Sequence, residues 1–251
     1  MLTSQRKNEI LTMLKQQGQV EAKALAAHYQ VSEDTIRRDL REMAAEGLLQ
    51  RVHGGALLAS PAEADLSQRQ HIAMPSKTQV AASAARLIAP GQIVIIDGGT
   101  TCAELARSLP RDMPLTVVTH SPTIAVALAE HHRIEVVLIG GRLFRHSMVA
   151  VGAAALEALS HIRADLYFMG VTGVHPDAGF STGDFEEAYI KRALSEHAAE
   201  TVVLASSEKL GVASAYKIGE LGMAASLVID CAPSAELDAA LTSAGVTVVS
   251  E

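Results

Sequence analysis

The stretch VSEDTIRRDLREMAAEGLLQRVHGGA, residues 31–56, sets three arginines in one helical run and closes on a Gly-Gly turn, within a chain whose net charge is −7. Ser32 follows Val31 and is placed to cap a helix, with Glu33 and Asp34 in the first turn, where the helix dipole favours negative charge. Ile36, Leu40 and Met43 then recur at helical spacing and mark one buried stripe. Arg37, Arg38 and Arg41 fall off that stripe. Such a face is either a solvated one, with Arg38 and Glu42 as an ordinary i,i+4 pair, or a surface that meets an anion.

The flanking sequence decides between them. SQRKNEILTMLKQQG carries Ile10, Leu11 and Leu14 at helical spacing and stops at Gly18, a C-terminal cap. VEAKALAAHYQV gives a second short helix with Leu25 and Ala26 inward, and Tyr29, Gln30 and Val31 form a tight connection to the capped third. Two short helices before a basic third are the plan of a helix-turn-helix, whose last helix enters the DNA major groove. LLQRVHGGALL alternates apolar and polar residues around His53, Gly54 and Gly55, a two-stranded hairpin of the kind that forms a wing.

Residues 1–57 closely resemble the winged helix-turn-helix of the DeoR family of bacterial transcriptional regulators, and the opening stretch is similar to that family's signature. The resemblance implies a partner, double-stranded operator DNA. The residue types suit it: Ser32 and Thr35 at the helix N-terminus reach phosphate or base edges, and Arg37 and Arg38 offer forked donors for guanine or phosphate, with Arg41 on the same helix. Arg51 and His53 on the wing approach the backbone or the minor groove. Residues 1–55 hold eight lysines and arginines against seven acidic residues, a charge of +1 that leaves −8 for the rest. So weakly basic a reader needs two copies on one palindrome, which implies a homodimer or homotetramer.

At 251 residues the chain has room for about two domains, and 49% hydrophobic with 20% charged residues is ordinary for a globular protein. No run approaches the ~18 apolar residues of a membrane span, and the start MLTSQRKNEI lacks the apolar core of a signal peptide, so a cytoplasmic protein without a membrane partner is expected. Cys102 and Cys231 have no metal-ligand spacing and read as buried thiols; His131 and His132 read as a solvated helix end. Neither a metal nor a cofactor is implied.

Residues 58–75 are polar, small and proline-bounded, a linker. SKTQVAASAARLIAPG then opens a second domain, 76–251, with Ser76 and Gln79 at capping-box spacing. From there short apolar runs alternate with helical patterns, the mark of an α/β domain with a mostly parallel sheet covered on both faces. Ligands of such sheets bind beyond the C-terminal strand ends. The first run ends in Asp97, Gly98, Gly99, Thr100 and Thr101, directly before a helix. This is either a threonine-capped turn or a phosphate loop, in which glycines admit an anion to the backbone and the helix N-terminus attracts it. Other run ends supply Thr119, His120, Gly140, Gly141 and Lys209.

This half is similar to the DeoR-type sensor domain, which is related to ribose-5-phosphate isomerase and the CoA transferases. The resemblance implies a Rossmann-like fold and a phosphorylated sugar or sugar derivative as effector. On it, IDGGTT matches the phosphate loop, Gly140 and Gly141 the next glycine pair, EEAYIKRAL a Glu-Ala and Lys-Arg helix, and Lys209 the lysine after strand VVLAS. The family commonly has Asn where this chain has His120 and Asp where it has Ser206, polar groups expected to face the effector. The reading is thus a ligand-responsive repressor of a sugar operon and no enzyme. An active sugar-phosphate isomerase or transferase with an appended DNA reader would need a general base from among Asp97, Asp184, Glu186 and Glu187. A constitutive DNA-binding protein whose second domain only dimerises is the third reading.

Overall fold

A computed structural model describes residues 2–63 and 66–250. Met1, Ala64, Asp65 and Glu251, which include the outer ends of the two assigned domains and two linker positions, lie outside the described residues. The N-terminal part runs α1 (Thr3–Gln17), β1 (Gln19–Glu21), α2 (Ala22–Tyr29), α3 (Glu33–Ala45), β2 (Leu49–Val52) and β3 (Gly55–Leu58). Gly18 ends α1 at φ 76°, and the Ser32 side chain caps α3 by accepting from the Thr35 N–H at 3.2 Å. Ile36, Leu40 and Met43 are buried against Ile10 and Leu14 of α1 and Leu25 and Ala26 of α2, a core separate from the rest.

Two features of this part depart from the sequence reading. Glu42 pairs with Lys7 of α1 at 2.7 Å rather than with Arg38, and Arg37 takes Glu33 at 2.9 Å, because α1 packs alongside α3 and offers a cation that the local spacing does not reveal. Beneath these lies a buried pair: Arg6 Nε donates to Asp39 Oδ2 at 2.6 Å, with Asp39 wholly inaccessible. The hairpin forms as expected, but β1 joins it to give the order β1-β3-β2. Glycine at 55 permits this, since a Cβ there would lie 2.0 Å from the Val20 carbonyl oxygen.

After α4 (Leu66–Arg69), α5 (Met74–Ala85) starts two residues before Ser76. Ala73 occupies the cap position and Pro75 the first turn, where its fixed φ is preorganised. Ser76 therefore does not cap; its hydroxyl accepts from the Ser207 N–H at 3.3 Å. The chain continues with β4 (Ile93–Ile96), α6 (Thr100–Ser108), β5 (Leu115–Thr119), α7 (Pro122–Ala127), β6 (Ile134–Leu138), β7 (Arg142–Phe144), β8 (Val149–Val151), α8 (Ala153–Leu159) and β9 (Ala164–Gly170). Then come β10 (Gly173–His175), β11 (Gly179–Thr182), α9 (Phe185–Glu196), β12 (Ala198–Leu204), β13 (Tyr216–Gly219), β14 (Ser226–Val228), α10 (Ala235–Ser243) and β15 (Thr247–Val249).

Seven strands form one parallel sheet in the order β15-β14-β12-β9-β4-β5-β6. Successive side chains point to opposite faces, and the apolar runs fill both. Val94, Ile96, Phe168, Val202 and Leu204 pack with α5, α6 and α7, whereas Ile95, Tyr167, Met169, Val203 and Leu227 pack with α8, α9 and α10. Two small antiparallel sheets, β7-β8 and β10-β11-β13, are excursions that the parallel reading did not foresee. The order runs outward from β4 to β6 on one side and from β9 to β15 on the other. Between β4 and β9 lies the switch point, where a crevice opens at the strand C-termini.

Two side chains correct minor expectations. Cys102 is buried, but Cys231 is exposed in the loop after β14, and His131 is buried with Nε2 3.2 Å from the Leu109 carbonyl oxygen.

Candidate functional site

At the switch point a cleft is lined by Gly98, Gly99, Thr100 and Thr101 from the loop after β4 and by Lys209 from the turn after β12. The geometry follows from the loop. Gly99 takes φ 104°, a conformation that favours glycine, and starts α6 so that Thr100 and Thr101 fall in its first turn. Backbone N–H groups there have no intrahelical acceptor, and the dipole adds positive potential. The Gly98 N–H is spent on Asp97 Oδ1 at 2.7 Å, which leaves the amides from Gly99 onward for an anion. Lys209 Nζ donates to Thr101 Oγ1 at 3.0 Å, so the lysine and the loop face the same space. Burial pushes the Lys209 ammonium down to about 8.

Asp97 forms the wall behind this loop rather than its surface. It is wholly buried, and its carboxylate accepts from Lys191 Nζ at 2.5 Å, His120 Nε2 at 2.8 Å and the N–H groups of Gly98 and Gly170. Burial alone would raise its pKa, but the Lys191 ammonium and the His120 ring hold the carboxyl well below the usual carboxylate range. The His120 Nδ1 lies 2.8 Å from the Ala150 carbonyl oxygen, so both ring nitrogens face oxygen partners.

Five of the ten residues proposed for the effector therefore meet at the cleft: Gly98, Gly99, Thr100, Thr101 and Lys209. Asp97 supports it from behind. Thr119 is buried with its hydroxyl accepting from the Ser121 N–H, His120 faces Asp97, and the exposed Gly140 and Gly141 lie outside the lining. The two departures from the family pattern likewise turn inward: Ser206 is buried and its hydroxyl donates to Glu208 Oε1 at 2.7 Å, so neither it nor His120 faces the cleft. Asp184 caps α9 by accepting from the Glu187 N–H at 3.0 Å.

The cleft also holds residues that sequence reasoning did not place in the effector set. Glu187, named there only as a conceivable base, and Lys191 sit one helical turn apart on the buried face of α9; they fall within the quoted EEAYIKRAL helix, and their spacing was the available signal. Glu187 Oε2 accepts from Ser147 at 3.2 Å and weakly from Thr182 at 3.5 Å. Arg69 lines the cleft from the connecting segment, where no periodicity announced it, and Lys77 lines it from the start of α5. Both are buried, and Lys77 Nζ donates to the Arg69 carbonyl at 2.6 Å; burial lowers the Lys77 pKa.

On α3, Asp34, Thr35, Arg38 and Arg41 line one shallow concavity on the exposed side of the helix. Ser32 spends its hydroxyl on the cap and on Thr35 Oγ1 at 2.9 Å. Arg51 and His53 are exposed on the wing.

Comparison with known proteins gives a consistent picture. Residues 6–62 match the DeoR-like helix-turn-helix domain and residues 72–231 the DeoR C-terminal sensor domain. The chain is 34% identical to the HTH-type transcriptional regulator GlpR of Haloferax volcanii, over 99% of this chain and 98% of that one. It is 31% identical to the glycerol-3-phosphate regulon repressor of Escherichia coli K12, over 96% of each. Among solved structures, ribose 5-phosphate isomerase A of Methanocaldococcus jannaschii aligns over 53% of each chain with 19% identity and a TM-score of 0.40. With both domain matches in sequence order and full-length relatives at this identity, the chain belongs to the DeoR family of transcriptional regulators.

Proposed function

We propose that the protein is a cytoplasmic repressor of an operon for a sugar or sugar derivative, and that a phosphorylated effector in the cleft after β4 releases it from operator DNA. The observation that carries this reading is the convergence of the Gly99–Thr101 loop, the N-terminus of α6 and Lys209 on one space. Backbone amides, hydroxyls and an ammonium together suit a phosphate. A relative named for the glycerol-3-phosphate regulon adds support. Residues 1–57 are the reader, 58–75 the connection and 76–251 the sensor, and two protomers present paired readers to a palindrome. In the described residues no helix is long and apolar enough to cross a membrane.

A thermal-shift screen against phosphorylated sugars and their dephosphorylated forms tests the reading. Stabilisation by a phosphorylated sugar and not by its plain form is expected, and equal affinities for the two would reduce the loop to an ordinary turn. The pH dependence is specific. Lys209 is charged below about 8, so for a ligand already dianionic, affinity falls as pH rises past that value, approaching tenfold per unit until the bound-state pKa is reached. Lys209→Met should be weaker at pH 7 and nearly flat over the same range. Calorimetry with glycerol 3-phosphate at pH 7 and 9.5 measures both.

Arg38 and Arg41 flank Thr35 in the concavity on α3, and Arg37 stands beside them with Glu33 as its partner. Alanine at Arg37 or Arg38 should cost about 1–3 kcal/mol of operator affinity for a bidentate base contact, and less for a phosphate contact. Footprinting on the protein's own promoter reads this out; unchanged affinity in both variants would sink the assignment.

Catalysis by the sensor finds less support. Asp97 is saturated by the Lys191 ammonium, the His120 ring and two backbone N–H groups, and Asp184 is occupied as a helix cap. A carboxylate so engaged is a poor general base. Turnover of ribose 5-phosphate by the purified protein would reverse this judgement.

A further inference from the structure

The segment that joins the two domains is built into the cleft. Immediately after β3, Ala59 bridges to Ala213 in parallel register, and the Ala213 N–H reaches the Leu58 carbonyl at 3.5 Å. The Ser60 hydroxyl donates to the Thr172 carbonyl and accepts from the Ala62 N–H at 3.1 Å. Thr172 Oγ1 and Ser214 Oγ are 2.6 Å apart, which ties the two sensor-side anchors to each other. Farther on, Ala62, Arg69, Ile72 and Lys77 all line the cleft, and so does Thr172. Arg69 Nη2 donates to Ser147 Oγ at 3.2 Å, and that hydroxyl donates to Glu187.

The sensor-side strand of this seam is equally short. Lys209, at the end of the turn Ser207–Lys209, stands four residues before Ala213. Arg69, Lys77 and Lys209 are three buried cationic side chains around one space that the carboxylates of Glu187 and Glu208 also line. A phosphate bound among the three cations adds attraction to each of them and draws the connecting segment and the Lys209 turn towards a common centre. The Lys209 turn leads into the Ala59–Ala213 contact, and Leu58 leads from there into the wing.

We propose that the connecting segment and the start of α5 form a wall of the effector site, with Arg69 and Lys77 as anion contacts, and that the seam of Ala59 with Ala213 and Ser60 with Thr172 transmits occupancy of the cleft to the wing. The inference rests on the reading of the cleft as an effector site and adds which residues bind and by what path the reader responds. It supplies the differential contact that any ligand-driven shift requires: the anion interacts more strongly with the arrangement in which residues 66–77 and 207–214 have closed on it.

Hydrogen exchange of the full-length protein with inorganic phosphate, against chloride at equal ionic strength, tests it. Slower exchange is expected at 66–77 and 207–214 as well as at 98–103, together with an altered rate at 55–62. Arg69→Met should weaken phosphate binding by about tenfold, the loss of one charge-assisted contact. Ser60→Ala should leave phosphate affinity within about twofold while abolishing the change at 55–58, whereas Ser60→Thr, which keeps the hydroxyl, should retain it. Protection at 98–103 with none at 66–77 overturns the wall and leaves the phosphate loop standing. Protection at 66–77 with an unchanged wing overturns the seam. Absence of any protection up to about 50 mM phosphate, well beyond a millimolar dissociation constant, overturns the effector-site reading and this inference with it.

Discussion

Replacing Asp97 with alanine will lower the stability of the sensor domain by about 3–5 kcal/mol, the usual cost of removing one partner from a buried ionic network. Lys191 and His120 would both remain buried, and the N–H groups of Gly98 and Gly170 would lose their acceptor. Urea unfolding followed by circular dichroism measures the loss. A decrease below about 1 kcal/mol, the range of an exposed ion pair, would show that the network does not hold the domain together. The same residues set a pH window. Asp97 is lowered in the fold, so its contribution is present above the ordinary carboxylate pKa of about 3.9 and is lost as pH falls through and below that value. Burial opposes charge on Lys191, but Asp97 raises it on balance, so its contribution is present below about 10.4 and is lost above. Between these limits the pair should leave stability flat.

Asp39→Ala should have an effect of similar size, about 3–5 kcal/mol, confined to the reader. Asp39 is on α3 but faces inward, where Arg6 of α1 meets it at 2.6 Å, so truncation strands a buried guanidinium between two helices. The hydrogen bond to Asp39 raises the Arg6 pKa in the intact pair, and even without it a guanidinium does not shed its charge in a protein, so the variant cannot escape by deprotonation. The expected result is loss of operator binding with the sensor's unfolding transition unmoved. An Arg6→Met, Asp39→Leu double variant should recover much of the loss, since apolar groups of similar volume replace a buried pair at little cost. Calorimetry of both variants decides the matter; a double variant as unstable as the single one would mean that geometry rather than charge is at stake.

What the sequence discloses about this molecule is mostly what neighbours along the chain determine. Ser32 as a cap, the stripe of Ile36, Leu40 and Met43, the hairpin at Gly54 and the two-faced apolar strands all follow from spacings within one element. Contacts between elements are another matter. The partner of Glu42 is Lys7 because α1 lies beside α3, and no spacing within α3 contains that fact. Asp97 and His120 end their strands as expected, yet whether a strand-end side chain enters the crevice or the wall behind it depends on what the next strand offers. Here β9 presents the Gly170 N–H and α9 presents Lys191, and both turn Asp97 inward. Arg69 was invisible as a cleft residue because it lies in a stretch whose composition says only that it connects, and nothing in the spacing within α5 singled out Lys77.

The pairing of β4 with β9 has a further consequence, in time rather than space. Asp97 and the Gly170 amide that it accepts from are 73 residues apart in the chain, whereas the helices and hairpin of the reader make their contacts within the first 58 residues. Closing long loops is slow, and parallel sheets that depend on such closures fold later than locally connected helices. During synthesis the reader is therefore expected to fold before the crevice does. If the crevice is the effector site proposed above, a nascent chain passes through an interval with a DNA-binding module and no sensor, and a net charge of +1 on residues 1–55 gives a single such module little bulk electrostatic hold on DNA.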